Sequence, residues 1–417
     1  MTRLPPPEAL PRVLVFSEGV ISRSHGTGTI FERNFANYPP EKLSNWFLGG
    51  AEDPLLHPTL NLNPYRWPRG NFAPPTTALA KLWNRCFARR AGRQWCVPVN
   101  HEAIRRAVAA QGATFDLVYA IVLTREGLDA LAAVLDGLGR PVPVILQIQD
   151  FFPRSHFGFW RAMRRLAPRL TEAWVVAPSI ARALAPQLPG IPVRVDPFFN
   201  LALPQPAKTE HRGFGPDFRT VVLGNFWNPA LLADLARAWS LCQQRLPGLP
   251  AIQWHCHPAG VERVRAAGFG TGPEVVPAPF LSGEALFAML RTADLAIIPF
   301  SRGAQPASDY ERYSLPSRIT ELAAIGLPVF CLTGSDTPLY DYVTAHGIGQ
   351  TAPAGDTAAV AAGLETLIRD AGERAHLGRA ARAHAEKDFP IIEEQARIYR
   401  HFIEVAARGS QNPLPSC

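Results

Sequence analysis

Two doubly wound α/β domains, each a parallel sheet flanked by helices, are what this sequence predicts, and three observations predict it. Short apolar runs alternate with segments of helical periodicity along most of the chain, the pattern of strand–helix–strand units. A polar stretch at residues 203–218, with Pro, Lys, Glu, His and Gly, interrupts the alternation, which then starts afresh. The chain has 417 residues, long for one core and suited to two of roughly 200 residues each.

In the first half, residues 12–16 form a short buried strand that runs into a glycine turn at residues 22–29 and then a helix. Ligands of doubly wound sheets gather at such strand ends. Gly26 and Gly28 permit close backbone approach there. The turn falls short of Gly-x-Gly-x-x-Gly, so it is a weak dinucleotide signal. Residues 50–76 are rich in proline and asparagine and read as an irregular loop. Beyond them Leu79, Leu82, Trp83, Cys86 and Phe87 follow helical spacing, with Lys81, Arg85, Arg89 and Arg90 mostly elsewhere. A basic amphipathic helix of this kind either lies on an anionic membrane or packs its apolar side on its own domain. Residues 116–123 and 142–149 are further strands. The second ends in Asp150, where catalytic side chains tend to be placed, although a turn or cap residue has the same look. Residues 174–179 give a strand and a helix start, and residues 193–200 close the domain.

In the second half, strands are expected at residues 220–223, 252–256, 274–277 and 293–300. The first runs into Gly224 and Asn225. His255, Cys256 and His257 do not suggest a metal, because successive strand residues face opposite sides. Arg302 and Arg312 lie in the loop of residues 301–313. Residues 314–332 are the most informative stretch. Pro316 and Ser317 suit the first turn of a helix, with the serine as a cap. Ile319, Leu322 and Ala323 repeat at helical spacing, Gly326 ends the helix in a left-handed position, and Pro328 prevents its resumption. Residues 329–332 then form a buried parallel strand. The helix N-terminus is a place for an anion, and Glu321, one turn in, can accept hydrogen bonds from sugar or ribose hydroxyls. The expected domains are residues 1–202 and 203–390, then a last helix at residues 391–408 returning to the first domain, and a tail at 409–417.

Hydrophobic residues make up 47% of the chain, ample for two cores, and no apolar stretch of about 20 residues is present to span a membrane. The first residues lack the apolar core of a secretory signal, so a cytoplasmic location is expected. Six cysteines at positions 86, 96, 242, 256, 331 and 417 show no paired metal spacing and read as reduced. A net charge of +7 and a pI near 9.3 favour anionic partners such as nucleotide diphosphates or anionic lipid. No nucleic-acid recognition motif accompanies them.

The run Leu315-Pro316-Ser317-Arg318, Glu321, then Ala323-Ala324-Ile325-Gly326-Leu327-Pro328-Val329 resembles the nucleotide-sugar site of GT-B glycosyltransferases, especially the retaining glycosyltransferase family four. The likeness in overall pattern covers about residues 12–405, with its specific words in the second domain. It implies the GT-B fold, two Rossmann-like parallel-sheet domains facing a cleft. The implied activity is metal-independent transfer from a UDP- or GDP-linked sugar to a glycan or lipid-linked acceptor, in cell-surface polysaccharide or glycolipid synthesis. No cofactor is expected, and the location is cytoplasmic or peripheral at the inner face of the plasma membrane. Ser317 and nearby amides would hold the diphosphate with Arg318, backed by Arg302 and Arg312. Tyr313, Ser314, Gly224, Asn225, Gly26 and Gly28 would complete the donor site, and Glu321 would hold the ribose. Two features depart from the family pattern. Tyr313 stands where many members have a further glutamate, and residues 224–228 lack the usual arginine–lysine pair. In the retaining branch the leaving diphosphate itself can accept the proton; in an inverting variant Asp150 or His25 would act as base. The departures leave two other readings open: a module that binds a glycan or partner without turnover, and a GT-B-shaped nucleotide-sugar epimerase.

Overall fold

The computed structural model describes residues 3–18, 21, 26–48, 59–62, 101–149, 151, 158–195, 206–208, 210–226, 228–269, 272–281, 283–302, 308–388 and 390–411. The chain divides into unit 1, Met1–Phe198 with Ile391–Cys417, and unit 2, Phe199–Pro390. His25, Asp150 and the basic amphipathic segment around Trp83 lie outside the described residues.

In unit 1 the apolar runs become strands. In chain order these elements are β1 (Val13–Ser17), α1 (Gly26–Phe35), β2 (Leu43–Phe47), β3 (Thr59–Asn61), α2 (His101–Ala109) and β4 (Leu117–Ile121). After them come α3 (Arg125–Gly137), β5 (Val144–Ile148), α4 (Phe159–Leu166), β6 (Glu172–Val175), α5 (Pro178–Leu184) and β7 (Val193–Val195). The sheet order is β3-β2-β1-β4-β5-β6-β7 and every pairing is parallel. β2 and β3 are absent from the sequence expectation. Ser44 and Asn45 break the apolar run of β2, yet Asn45 is fully buried because its Nδ2 donates to Val15 O at 3.2 Å and Ser17 Oγ at 2.9 Å. β3 is only three residues long and sits within the segment expected to be irregular.

Unit 2 contains β8 (Thr220–Leu223), α6 (Ala230–Arg245), β9 (Ile252–His255), α7 (Pro258–Ala266), β10 (Val275–Ala278) and α8 (Gly283–Thr292). It continues with β11 (Leu295–Pro299), α9 (Asp309–Tyr313), α10 (Arg318–Ile325), β12 (Val329–Leu332) and α11 (Pro338–His346). β13 (Gly349–Ala352), α12 (Thr357–Arg369) and α13 (Ala371–Asp388) complete it. The sheet order is β10-β9-β8-β11-β12-β13, again all parallel. β13 escapes sequence reading because Gly349, Gln350 and Thr351 make an edge strand with no apolar run. The start of this unit is held by Asp294, fully buried, whose carboxylate meets Arg212 at 2.9 Å and the Arg219 amide at 2.9 Å.

The last helix, α14 (Ile391–Gln411), supplies Ile398, Tyr399, Phe402 and Val405 to the core of unit 1, among Val13, Val15, Phe31, Phe35, Tyr119 and Trp174. Burying one such side chain stabilises by about 1.5–3 kcal/mol, so these four fix the helix firmly. Its polar contacts agree. Tyr399 Oη donates to Asn34 O at 2.9 Å, and His401 Nε2 lies 2.5 Å from the buried Glu172.

Both sheets reverse their strand order beside their first strand, between β1 and β4 and between β8 and β11. Crevices for ligands open outside the carboxyl ends of strands at such points.

Candidate functional site

At the switch point of unit 2, Gly224 follows β8 directly and has φ +78°. Its N–H donates to His255 O at 2.7 Å and its carbonyl accepts from Trp254 Nε1 at 2.5 Å. A Cβ at this residue would overlap the guanidinium of Arg318. Glycine is thus required twice, for its backbone conformation and for the space above it.

Arg318 is the first residue of α10. The N-terminus of this helix differs from expectation. Ser317 occupies the cap position with helical angles, φ −59° and ψ −23°, and its hydroxyl makes no capping bond. The first turn is closed by backbone instead: Ile319 N donates to Pro316 O and Thr320 N to Ser317 O, both at 3.2 Å. The other end follows the sequence reading. Gly326 is left-handed at φ 74°, and Leu327 N donates back to Leu322 O at 3.0 Å.

Arg318 is half-buried, and burial pushes its pKa down, with Tyr310, Glu321 and Cys256 acting in the opposite direction. Among the described residues it makes no ion pair. A half-buried cation beside a helix N-terminus and an uncapped serine is a place that an anion would neutralise. Unsatisfied polar atoms occur on the residues that follow β8 and end β9. Asn225 Oδ1 is buried without a hydrogen-bond partner, next to Gly260 Cα, and His255 Nε2 is likewise unpaired. Glu321 stands one turn into α10, half-buried, with Thr320 Oγ1 3.5 Å from its carboxylate.

The other residues expected at this site are placed differently from one another. Arg302 is engaged by the buried Asp234 of α6, Nε to Oδ2 2.7 Å, so its charge is already matched. Arg312 lies on α9 with a buried, unpaired Nε. Tyr313 is the last residue of α9. Ser314 is buried and ends that helix, its N–H donating to Tyr310 O at 2.9 Å. Gly26 and Gly28 fall in the first turn of α1, in unit 1.

Sequence reading missed Glu18, which stands at the switch point of unit 1 immediately after β1. Its Oε1 accepts from Leu123 N at 2.7 Å and Thr124 N at 2.6 Å, at the start of α3. Gly127 allows the approach, since a Cβ there would overlap the carboxylate. Burial pushes the Glu18 pKa up to about 7 against the opposing pull of these hydrogen bonds. The signal was available in outline: a charged residue directly after a buried strand, the reasoning applied to Asp150.

No protein-family model matches the sequence, and no curated protein does. Solved structures do match in shape. HepE of Anabaena, in complex with UDP and glucose, is 14% identical with a TM-score of 0.60, covering 94% of this chain and 100% of its own. The sucrose-phosphate synthase of Thermosynechococcus elongatus is 14% identical with a TM-score of 0.62, covering 94% and 99%. WaaG, a glycosyltransferase involved in lipopolysaccharide biosynthesis, is 12% identical with a TM-score of 0.60, covering 93% and 99%. The chain has the GT-B fold. At these identities the likeness is one of fold, and the GT-B arrangement of two Rossmann-like units accords with both sheet orders above. Among the described residues no helix is long and apolar enough to cross a membrane.

Proposed function

We propose that the protein is a glycosyltransferase that moves a sugar from a nucleotide-sugar donor to a glycan or lipid-linked acceptor in cell-surface polysaccharide or glycolipid synthesis. The observation that carries this reading is the Arg318 guanidinium over Gly224 at the switch point of unit 2. It puts a cation where the sequence lacks the arginine–lysine pair of similar enzymes, so that absence is no argument for a module without turnover. The GT-B fold supports the same reading, and the UDP and glucose bound to HepE support a UDP-linked donor.

In this reading the α10 N-terminus, the Ser317 hydroxyl and Arg318 bind the donor diphosphate, and Glu321 accepts hydrogen bonds from the ribose. Arg318 and the helix dipole stabilise the negative charge that grows on the diphosphate as the sugar departs, without need of a metal. The anomeric configuration is retained, with the leaving phosphate oxygen taking the acceptor's proton. The basic segment around Trp83 brings the enzyme to an anionic membrane where lipid-linked acceptors reside.

The test is a thermal-shift panel of UDP-, GDP-, ADP- and TDP-linked sugars, followed by assay of nucleoside diphosphate release with the stabilising donor. A donor at 100 times its Kd stabilises by about 2.7 kcal/mol. Stabilisation with release supports the proposal; stabilisation without release on any acceptor supports a binding module. No stabilisation by any donor overturns the reading.

A further inference from the structure

In unit 2 two helix ends bring together His346, His384 and Asp388. His346 is the last residue of α11, and Asp388 is the last residue of α13. Each helix contributes a pair one turn apart, Tyr342 with His346 and His384 with Asp388. The ring centroids of the two histidines are 3.8 Å apart, and His384 is buried. His384 Nδ1 lies 2.6 Å from Asp388 Oδ2, and its Nε2 lies 2.6 Å from Tyr342 Oη.

We propose that His346, His384 and Asp388 bind a divalent transition-metal ion of the zinc class, with Tyr342 fixing the His384 ring from behind. The ligand atoms of the three residues already lie within 4.8 Å of one another. Around a tetrahedral ion with bonds of about 2.0–2.1 Å they would sit about 3.3 Å apart, and the His346 ring, now stacked on His384 with 24° between the ring planes, would turn about its side-chain bonds to face the ion. His346 is exposed and can turn. With the His384 proton on Nε2, donated to Tyr342 Oη, Nδ1 and the Asp388 carboxylate present two lone pairs to one point, which a cation satisfies. A hydrogen-bonded partner behind a ligating imidazole is the usual arrangement at metal sites. The helix ends add to the case. The carbonyl ends of α11 and α13 converge here, and helix C-termini favour positive charge. A fourth position would be left for water. Bound metal would clip α11 to the end of α13, close to Pro390, where the chain passes from unit 2 to unit 1. The argument for this site does not depend on the function proposed above.

The experiment is equilibrium dialysis of the chelator-stripped full chain against zinc, with cobalt(II) as a spectroscopic probe. One ion per chain is expected, with cobalt d–d bands, no thiolate charge-transfer band, and a raised Tm. His346→Ala and Asp388→Asn, both at exposed or partly exposed positions, should lose stoichiometric uptake while keeping the metal-free Tm. Tyr342→Phe should weaken binding about tenfold, and His376→Ala, on an exposed residue of α13 outside the cluster, should bind as the parent does. Absence of stoichiometric uptake by the parent chain, or undiminished uptake by His346→Ala and Asp388→Asn, overturns the proposal.

Discussion

The two switch points of this molecule have the same topology and are filled by different side chains, a carboxyl in one and a guanidinium in the other. In unit 1 the residue after the first strand is Glu18, whose carboxylate takes the amides of Leu123 and Thr124 where α3 begins. That helix N-terminus therefore has an acceptor from its own chain. In unit 2 the residue after the first strand is Gly224, and the space above it holds the cation of Arg318, at a helix N-terminus whose serine does not cap. The parallel sheet makes a crevice in both places, and one residue beyond the strand decides its charge. The unit 1 crevice has its acceptor built in; in the function proposed above, the unit 2 crevice takes its anion from the donor diphosphate.

The largest effect should come from breaking the second half of that comparison. Arg318→Ala should lower kcat/KM for the donor by about 10²–10³-fold, the scale seen when a group stabilising transition-state charge is removed. Arg318→Lys should recover part of the loss, because a point charge replaces a planar fork. The Tm should move little, since Arg318 makes no ion pair among the described residues. A large fall in Tm with unchanged turnover would make Arg318 a packing residue and remove the contrast between the two units.

Next in size is the first half. The folded-state pKa of Glu18, about 7, lies above its ordinary value of 4.5. The native state therefore holds this proton more tightly than the unfolded chain. Its contribution to stability is fully present below about pH 4.5 and is lost as the pH rises to about 7, a change on the order of 3 kcal/mol. Glu18→Gln keeps an acceptor oxygen for the two amides and has no proton to lose. The variant should flatten the decline in Tm between pH 5 and pH 8, measured by calorimetry. An identical decline in parent and variant would assign the slope to other groups.

The fold was largely legible in the sequence, and the reasons are local. β8 and β12 lie where their apolar runs place them, and Gly326 ends α10 in the conformation expected of it. What escaped depends on tertiary partners. Asn45 looks like a break in β2 until Val15 and Ser17 satisfy its amide. Arg302 looks like a free cation until Asp234, remote in sequence, binds it. The partners of Glu18 are hidden for the same reason, because they come from the end of another strand. The proximity of Arg318 to Gly224 could not be read either. The sequence shows no basic pair after β8, and only the packing of α10 against that strand end brings an arginine beside Gly224.

The smallest effect is the one that sharpens the comparison, because it concerns the second carboxylate. Glu18 holds backbone of its own chain, whereas Glu321 stands half-buried one turn into α10, beside the cation and next to Thr320. If unit 2 is the half that takes an external anion, Glu321 holds the hydroxyls of the same ligand. A hydrogen bond to a charged group contributes about 1.5–3 kcal/mol. Glu321→Ala should then weaken donor binding or turnover by at least about tenfold. Glu321→Gln should fall between parent and alanine variant, keeping an acceptor oxygen without the charge. Both should melt near the parent, since a partly exposed residue at a ligand site adds little to the fold. Isothermal titration with the donor identified by the thermal-shift panel provides the measurement. Parent-like affinity and turnover in Glu321→Ala would leave Arg318 as an anion site without a ribose contact from Glu321, and would remove the second carboxylate from the comparison.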